Sequence, residues 1–379
     1  MTELTREKAL ALSRGLKATP KVIARLNATI GDEEAVRWAV AQWELRERAQ
    51  SKFKRASEYI FTREALEQAT REDVAAYHAS RFPRGELVAD LTAGIGGDLL
   101  ALARRGPVIG YETDPERAEY AHHNAVTSGH LVQIIAGDCM AHSWPDYAFA
   151  DPSRRVDGRR TLDVRAFEPD PTVVADRMGH LKLGGLKLTP FLSDRLLSTL
   201  GPEIAFVASG DECPEVVVWT GSQAVSSRYA IWGDTGEALA AGGLTSSCDE
   251  PMTYLFEAHP AAIRAHALGT ICKEFRLVAL GNSNGYLTGE QPVMSRWLKT
   301  YRLLHAGKGD IRQTKAALKA MGAGTPIIKS RAGIDVEALR KELRSQGSSH
   351  PDVVVAVYPV GKSIRHAILE RISQEPIRT

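Results

Sequence analysis

Apolar residues recur at three- and four-residue spacing through residues 3–80, as in Thr5-Arg-Glu-Lys-Ala-Leu-Ala-Leu-Ser and Glu33-Glu-Ala-Val-Arg-Trp-Ala-Val-Ala-Gln-Trp-Glu-Leu. That spacing predicts helices. Thr62 is a candidate N-cap for one of them, and Thr19-Pro20 and Gly31-Asp32 are breaks. Over residues 85–235 the pattern changes to short apolar runs alternating with helical periods, which predicts a parallel sheet. The strands are expected at 87–91, 108–111, 131–136, 147–150, 185–188, 203–208 and 215–220, with helices starting near 98, 115 and 172. The short link 209–214 predicts an antiparallel hairpin for the last two strands. Residues 251–379 predict helices at 260–268, 309–320 and 335–346, and paired strands at 353–360 and 363–369 around Gly361-Lys362. The fold class expected is α/β: a Rossmann-like seven-stranded sheet (residues 85–250) between an N-terminal helical domain (1–84) and a small α+β domain (251–379).

Composition narrows the picture. The chain of 379 residues is 44% hydrophobic and 25% charged, ordinary for a globular protein, and no apolar run reaches the ~18 residues of a membrane span. The N-terminus lacks an apolar signal region, and the four cysteines are scattered without a CxxC pair, so reduced thiols and a cytoplasmic location are expected and a structural zinc site is not. No metal is expected at His122-His123 either, because adjacent helical residues point to different faces. The net charge of +2 conceals an asymmetry: +4 over residues 1–84, −11 over 85–250 and +9 over 251–379. A basic end joined to an acidic centre suits either a polyanion-binding arm or a solvated lysine-rich surface. The cluster of Lys52, Lys54 and Arg55 beside Phe53 and Tyr59 allows the same two readings.

The run Val88-Ala-Asp-Leu-Thr-Ala-Gly-Ile-Gly-Gly-Asp98, followed by Val108-Ile-Gly-Tyr-Glu112, reads as strand, glycine turn, helix, and a second strand ending in a carboxylate. Such a turn lets backbone N–H groups approach a ligand, and the acidic residue suits ribose hydroxyls. A dinucleotide fingerprint needs a third glycine where Leu99 stands, and Asp90 ahead of the turn suits a cationic amino-acid group better than a pyrophosphate. The Asp-x-x-x-Gly-x-Gly spacing resembles motif I of class I S-adenosylmethionine methyltransferases. A nicotinamide or flavin site and a ligand-free structural turn are the alternatives. On the first reading Asp90, Thr92, Ala93, Gly94 and Gly96 surround the amino-acid moiety, Glu112 takes the ribose, and Asp138 accepts from the adenine amine or else caps a strand end. Asp114 reads as a helix N-cap with Pro115 in the first turn.

The next strand ends Ala150-Asp-Pro-Ser-Arg-Arg155, where amino methyltransferases keep an Asp/Asn-Pro-Pro-aromatic loop. Asp151 and Pro152 are kept. The second proline and the aromatic are not, and Arg154 and Arg155 stand there, with Arg159 and Arg160 soon after. These arginines suit phosphate or base contacts, or else a network with Asp157 and Asp163. Phe191 and Tyr59 are candidates for the absent ring, and sequence spacing does not choose between them. The loop holds no cysteine, which argues against a covalent cysteine mechanism.

Together with Gly158-Arg-Arg160, Gly210-Asp-Glu-Cys213, Tyr254-Leu-Phe-Glu-Ala-His-Pro260, Ile263-Arg264 and Tyr286-Leu-Thr-Gly289, these runs resemble a bacterial family of class I S-adenosylmethionine-dependent methyltransferases with a THUMP-like C-terminal domain. The resemblance covers nearly the whole chain. It implies S-adenosylmethionine as cofactor and tRNA or rRNA as partner, methylated at a base nitrogen. Asp151 and Pro152 would position the acceptor, Arg154 and Arg155 would hold phosphate or base, and Arg312, Lys319, Lys329 and Arg331 would face the RNA. A protein or small-molecule methyltransferase, and a non-catalytic S-adenosylmethionine-binding RNA binder, are the alternative functions.

Overall fold

The computed structural model describes residues 3–156, 159–243, 246–282, 285–344 and 353–372. The chain divides into two compact units. The first holds the residues up to Glu203 with 217–225 and 233–236, and the second holds 204–216, 226–232 and the chain from Glu237 onward.

The first unit opens with five helices: α1 (Glu3–Leu12), α2 (Pro20–Ile30), α3 (Glu33–Ala49), α4 (Arg63–Gln68) and α5 (Glu72–Ser80). The two breaks seen in the sequence are helix starts. Thr19 Oγ1 caps α2 ahead of Pro20, α2 ends at left-handed Gly31, and Asp32 caps α3. Thr62 caps α4 as expected. The sheet follows with β1 (Val88–Asp90), α6 (Gly97–Ala103), β2 (Val108–Glu112), α7 (Pro115–Thr127), β3 (Gln133–Ala136) and β4 (Tyr147–Ala150). Asp114 caps α7, with Pro115 at its first turn. A two-strand ribbon, β5 (Arg155–Val156) and β6 (Arg159–Arg160), then leads to α8 (Pro171–Met178), β7 (Leu183–Leu188) and α9 (Asp194–Leu200). Strands β7, β4, β1, β2 and β3 lie side by side in that order, every pair parallel, so all their C-terminal ends emerge on one edge. That edge is where open α/β sheets bind ligands.

Next come β8 (Glu203–Ser209) and β9 (Glu212–Thr220), whose residues divide between the units, then β10 (Ser227–Trp232) and β11 (Ala238–Ala240). The seven expected strands are β1 to β4 and β7 to β9. Among the described residues, β10 and β11 follow on from β8, two strands more than the sequence pattern predicts.

The second unit continues with β12 (Ser247–Cys248), β13 (Tyr254–Ala258), α10 (Pro260–Arg264), α11 (Leu268–Phe275), β14 (Val278–Leu280), β15 (Tyr286–Gly289), β16 (Leu298–Gly307), α12 (Ile311–Ala320), β17 (Ile327–Ser330), α13 (Val336–Glu342), β18 (Val353–Val360) and β19 (Ser363–Arg371). The helix expected at 260–268 ends early, and His266 (φ 59°) separates α10 from α11. The expected pair β18–β19 is an antiparallel hairpin within an eight-stranded sheet. Alternate residues of β18 serve two cores. Val353, Val355 and Val357 pack with Leu318 of α12 and Leu339 of α13, while Val354, Ala356 and Tyr358 pack with Tyr286 and Tyr301.

Candidate active site

The turn from β1 to α6 is built by two glycines in the left-handed region, Gly94 (φ 57°) and Gly96 (φ 101°), which a side chain would strain. The Gly96 N–H closes the turn on the Ala93 carbonyl at 2.8 Å. The Gly94 N–H donates to Glu112 Oε2 at 2.9 Å, so the amide expected to face a ligand also fixes the carboxylate at the end of β2. Glu112 Oε1 in turn accepts from the Asp114 N–H at 2.9 Å and pairs with Arg117 at 3.0 Å.

Beside this turn lies a cavity of about 700 Å³, within the size range of small-molecule sites. Thr92, Ala93, Gly94, Glu112, Asp138 and Asp151 all bound it, bringing six of the expected site residues together. Asp138 sits at its rim, where Oδ1 caps the following turn through the Met140 N–H at 2.9 Å, so the capping reading is realised and the residue still faces the cavity. Asp90 and Gly96 do not bound the cavity. Asp90 is buried beneath the turn, where Oδ1 accepts from the Thr92 N–H at 3.2 Å and Oδ2 has no partner. Burial, reinforced by the charge of Asp98, pushes the Asp90 carboxyl well above the usual carboxylate range.

The wall chemistry discriminates between cofactors. Six carboxylates (Asp98, Glu112, Asp138, Asp151, Glu168 and Asp170) bound the cavity against one guanidinium, that of Arg117. Such a wall repels a pyrophosphate and suits a ligand carrying an ammonium and a sulfonium. Glycine turn, cavity size and acidic wall fit S-adenosylmethionine and argue against a dinucleotide.

Next to the glycine turn, the Asp151 N–H donates to Thr92 Oγ1 at 2.6 Å, which ties the end of β4 to the turn. Asp151 Oδ2 lies 2.5 Å from Lys187 Nζ of β7. Lys187 Nζ also donates to Thr70 Oγ1 at 2.9 Å, and the Thr70 hydroxyl donates to Asp98 Oδ2 at 2.6 Å. Asp98 Oδ1 accepts from buried His78 Nδ1 at 2.7 Å. Burial opposes the charge of Asp98, but the His78 charge and hydrogen bond, with Lys187 and Thr70, outweigh it and hold the carboxyl below its ordinary value. Past Asp151 the chain folds back: Ser153 and Glu168 exchange two backbone hydrogen bonds, at 2.8 and 3.0 Å, and Glu168, Pro169, Asp170 and Val173 form the adjoining wall.

Sequence reasoning missed Lys187, Thr70, His78 and this fold-back. A single charged residue inside the apolar run Gly185-Leu-Lys-Leu188 was the available signal for Lys187, and a histidine inside Val74-Ala-Ala-Tyr-His-Ala79 for His78. Pro152 is buried and Arg154 is half-buried, and neither bounds the cavity. Of Arg155 only the backbone, in β5, lies within the described residues. Neither candidate aromatic bounds the cavity. Tyr59 is fully buried with Phe53 and Phe61 and meets Ser128 Oγ at 2.6 Å, whereas Phe191, just past β7, is 75% exposed.

The basic residues separate into internal and external sets. Lys52 Nζ donates to the carbonyls of Leu66, Glu67 and Ala69 at 2.8–2.9 Å, capping α4, and Arg55 pairs with Glu58. Phe53 and Tyr59 are buried, while Lys54 is exposed, so the two rings of this cluster belong to the core and Lys54 to the surface. In the second unit, Lys329 (2.5 Å) and Arg331 (3.3 Å) are both paired with Glu257. Arg312, Lys315 and Lys319 are exposed along α12. Among the described residues no helix is long and apolar enough to cross a membrane.

No family model matches the chain. Two curated proteins from strains CDC 1551 and H37Rv of Mycobacterium tuberculosis, both named as uncharacterised S-adenosylmethionine-dependent methyltransferases, are 28% identical over 355 residues, which is 90% of this chain and 97% of theirs. The crystal structure of a candidate methyltransferase from Porphyromonas gingivalis W83 superposes with a TM-score of 0.79 at 23% identity, over 97% of this chain and 99% of that one, and so shares its fold. With relatives of that kind over nearly its whole length, the protein is an S-adenosylmethionine-dependent methyltransferase.

Proposed function

We propose that the enzyme methylates a base nitrogen in RNA, with tRNA or rRNA as substrate. The observation that carries this reading is the pairing of an Asp-Pro carboxylate on the cavity wall with the exposed cations Arg312, Lys315 and Lys319 of α12. The three residues fall within about seven positions, a spacing that brings them to one side of a helix. They lie in the stretch with a +9 excess, which we read as the THUMP-like, RNA-holding domain.

Bound S-adenosylmethionine supplies an electrophilic methyl group on a sulfonium. We assign its amino-acid end to the turn 92–94, its ribose to Glu112 and its adenine to Asp138. Asp151 receives an N–H of the acceptor and so aims the nitrogen lone pair. The acidic wall favours the positive charge that the nitrogen gains before its proton leaves to solvent. Neutral nitrogen needs alignment more than a strong base. Arg154 and Arg155 are assigned to phosphate next to the reacting base.

The acidic wall also favours a second reading, a small or protein-borne amine as acceptor. One assay separates them: isotope-labelled S-adenosylmethionine with total tRNA and rRNA, read by nucleoside mass spectrometry, with Asp151→Ala as control. A labelled nucleoside absent from the control supports the RNA reading. Label in protein or small molecules, with none in RNA, supports the second.

A further inference from the structure

We infer that Lys187 is a positioning residue, which holds Asp151 as an aimed carboxylate at the methyl-accepting end of the cavity. The inference rests on the assignment of Asp151 to that end, and not on the identity of the acceptor.

The directions of the hydrogen bonds carry the argument. The Thr70 hydroxyl has one proton, and it is directed to Asp98 Oδ2 at 2.6 Å. Thr70 Oγ1 can therefore only accept from Lys187 Nζ, at 2.9 Å. Asp98 is itself held by His78 at 2.7 Å. The far end of the chain of bonds is thus fixed, and Lys187 meets Asp151 Oδ2 at 2.5 Å with its ammonium already anchored on the other side. The Lys187 side chain is only 12% exposed, so its charge needs a counter-charge, and Asp151 (34% exposed) supplies it. The Asp151 backbone is fixed separately, through its N–H to Thr92 Oγ1. Main chain and one carboxylate oxygen are both tied down while the residue faces the cavity.

Charged and titratable groups surround the pair: Asp98 of α6 and Lys52 before α4 act on Lys187, Asp90 of β1 lies by Asp151, and His78 of α5 acts through Asp98. Asp90 keeps its own proton, so Lys187 is the charge seen in direct contact with the Asp151 carboxylate. A cation in contact lowers a carboxylate's pKa by about 1–3 units.

The test compares two cofactor analogues and needs no acceptor. Sinefungin carries an amine-bearing carbon in place of the methyl sulfonium, whereas S-adenosylhomocysteine has a bare thioether there. The ratio of their affinities, measured on the full-length protein by calorimetry from pH 4.5 to 8, reports whether a carboxylate faces the methyl position. In the wild type the preference for sinefungin holds to the acid end of that range, because the lysine keeps Asp151 ionised, and Asp151→Asn abolishes it. In Lys187→Met and Lys187→Gln the preference falls away within the range, about one pH unit or more above any fall in the wild type. Lys187→Arg restores the wild-type profile, and in the Lys187 variants S-adenosylhomocysteine affinity at pH 7.5 changes less than about threefold. Two results overturn the inference: a wild-type profile in a neutral variant that still binds S-adenosylhomocysteine, or a wild type with no preference for sinefungin that Asp151→Asn removes. Because no RNA is present, failure of the RNA reading leaves this experiment intact, and the reverse also holds.

Discussion

The Gly94 N–H and Glu112 Oε2 are 2.9 Å apart, so the glycine turn and the carboxylate after β2 hold each other in place. Removing the carboxylate therefore damages two parts of the cofactor site at once. Glu112→Ala is expected to weaken S-adenosylmethionine binding by about 10–100-fold, as loss of a charged, hydrogen-bonded partner costs roughly 1.5–3 kcal/mol. It should also free Arg117, now 3.0 Å from Glu112. Calorimetric titration of the variant, with circular dichroism to show that the fold is kept, checks this. An affinity within twofold of wild type would exclude Glu112 from the site.

Asp98 and Asp90 stand on either side of the same turn and should respond to acid in opposite ways. Asp98 sits below its ordinary pKa because His78, Lys187 and Thr70 outweigh the cost of burial. Its stabilisation is present above the unfolded pKa of about 4 and is lost as pH falls through the lower folded value. Asp98→Asn should therefore cost about 3–5 kcal/mol at pH 7, by stranding His78, and the deficit should narrow on acidification. Thermal melts of both proteins from pH 3 to 7 test it.

Asp90 is displaced upward, by burial first and then by Asp98. The folded protein keeps a proton that the unfolded chain gives up above about pH 4, so this group subtracts stability as pH rises through that window. Asp90→Asn copies the protonated form. It should raise the cofactor-free melting temperature at pH 7, and the gain should vanish below about pH 4. A variant less stable than wild type at pH 7 would contradict this.

Lys52 is pushed down to about 8, by burial and then by the charge of Lys187. Below that pH it is a cation capping α4, and above it a neutral amine. The unfolded lysine holds its proton up to about 10.4, so between the two values the unfolded chain binds the extra proton and this group adds stability as pH rises through that window. Amine-specific labelling of Lys52, followed by peptide mass spectrometry across pH 7–10, should titrate near 8. Lys52→Met should loosen the wall at Ala65, Gln68, Ala69 and Thr70 and weaken cofactor binding several-fold.

On the RNA reading, Arg312→Gln, Lys315→Gln and Lys319→Gln together should reduce the slope of log affinity against log salt by about 2–3, at roughly 0.7–0.9 for each phosphate no longer neutralised. Filter binding to tRNA between low and moderate salt measures it. An unchanged slope would remove α12 from the interface.

How much of this could be read from the chain follows from how local each signal is. The strand–turn–helix around Gly94, the N-caps Thr62 and Asp114, and the hairpin at Gly361-Lys362 are set by neighbours in sequence, and each was legible. The seven expected strands were legible for the same reason, while β10 and β11 give weaker apolar runs with exposed ends. The bonds joining Lys187 to Thr70 and Asp151 span 117 and 36 residues, and no periodicity records them. For the basic-aromatic cluster at 52–59 composition does not reveal burial: Lys52 caps carbonyls and Phe53 and Tyr59 fill the core, while Lys54 is exposed.

The position of Thr70 has a consequence for dissecting this enzyme. Ala65, Gln68, Ala69 and Thr70 precede the sheet in the chain and still form part of the cavity wall. The helical segment is thus no detachable accessory. A fragment starting at the first strand would carry every recognisable methyltransferase motif and yet lack one side of its own cavity, leaving Lys187 without its threonine. Motif content would overstate what such a fragment can do, since its cavity closes only when helices before the sheet fold onto the strands after them.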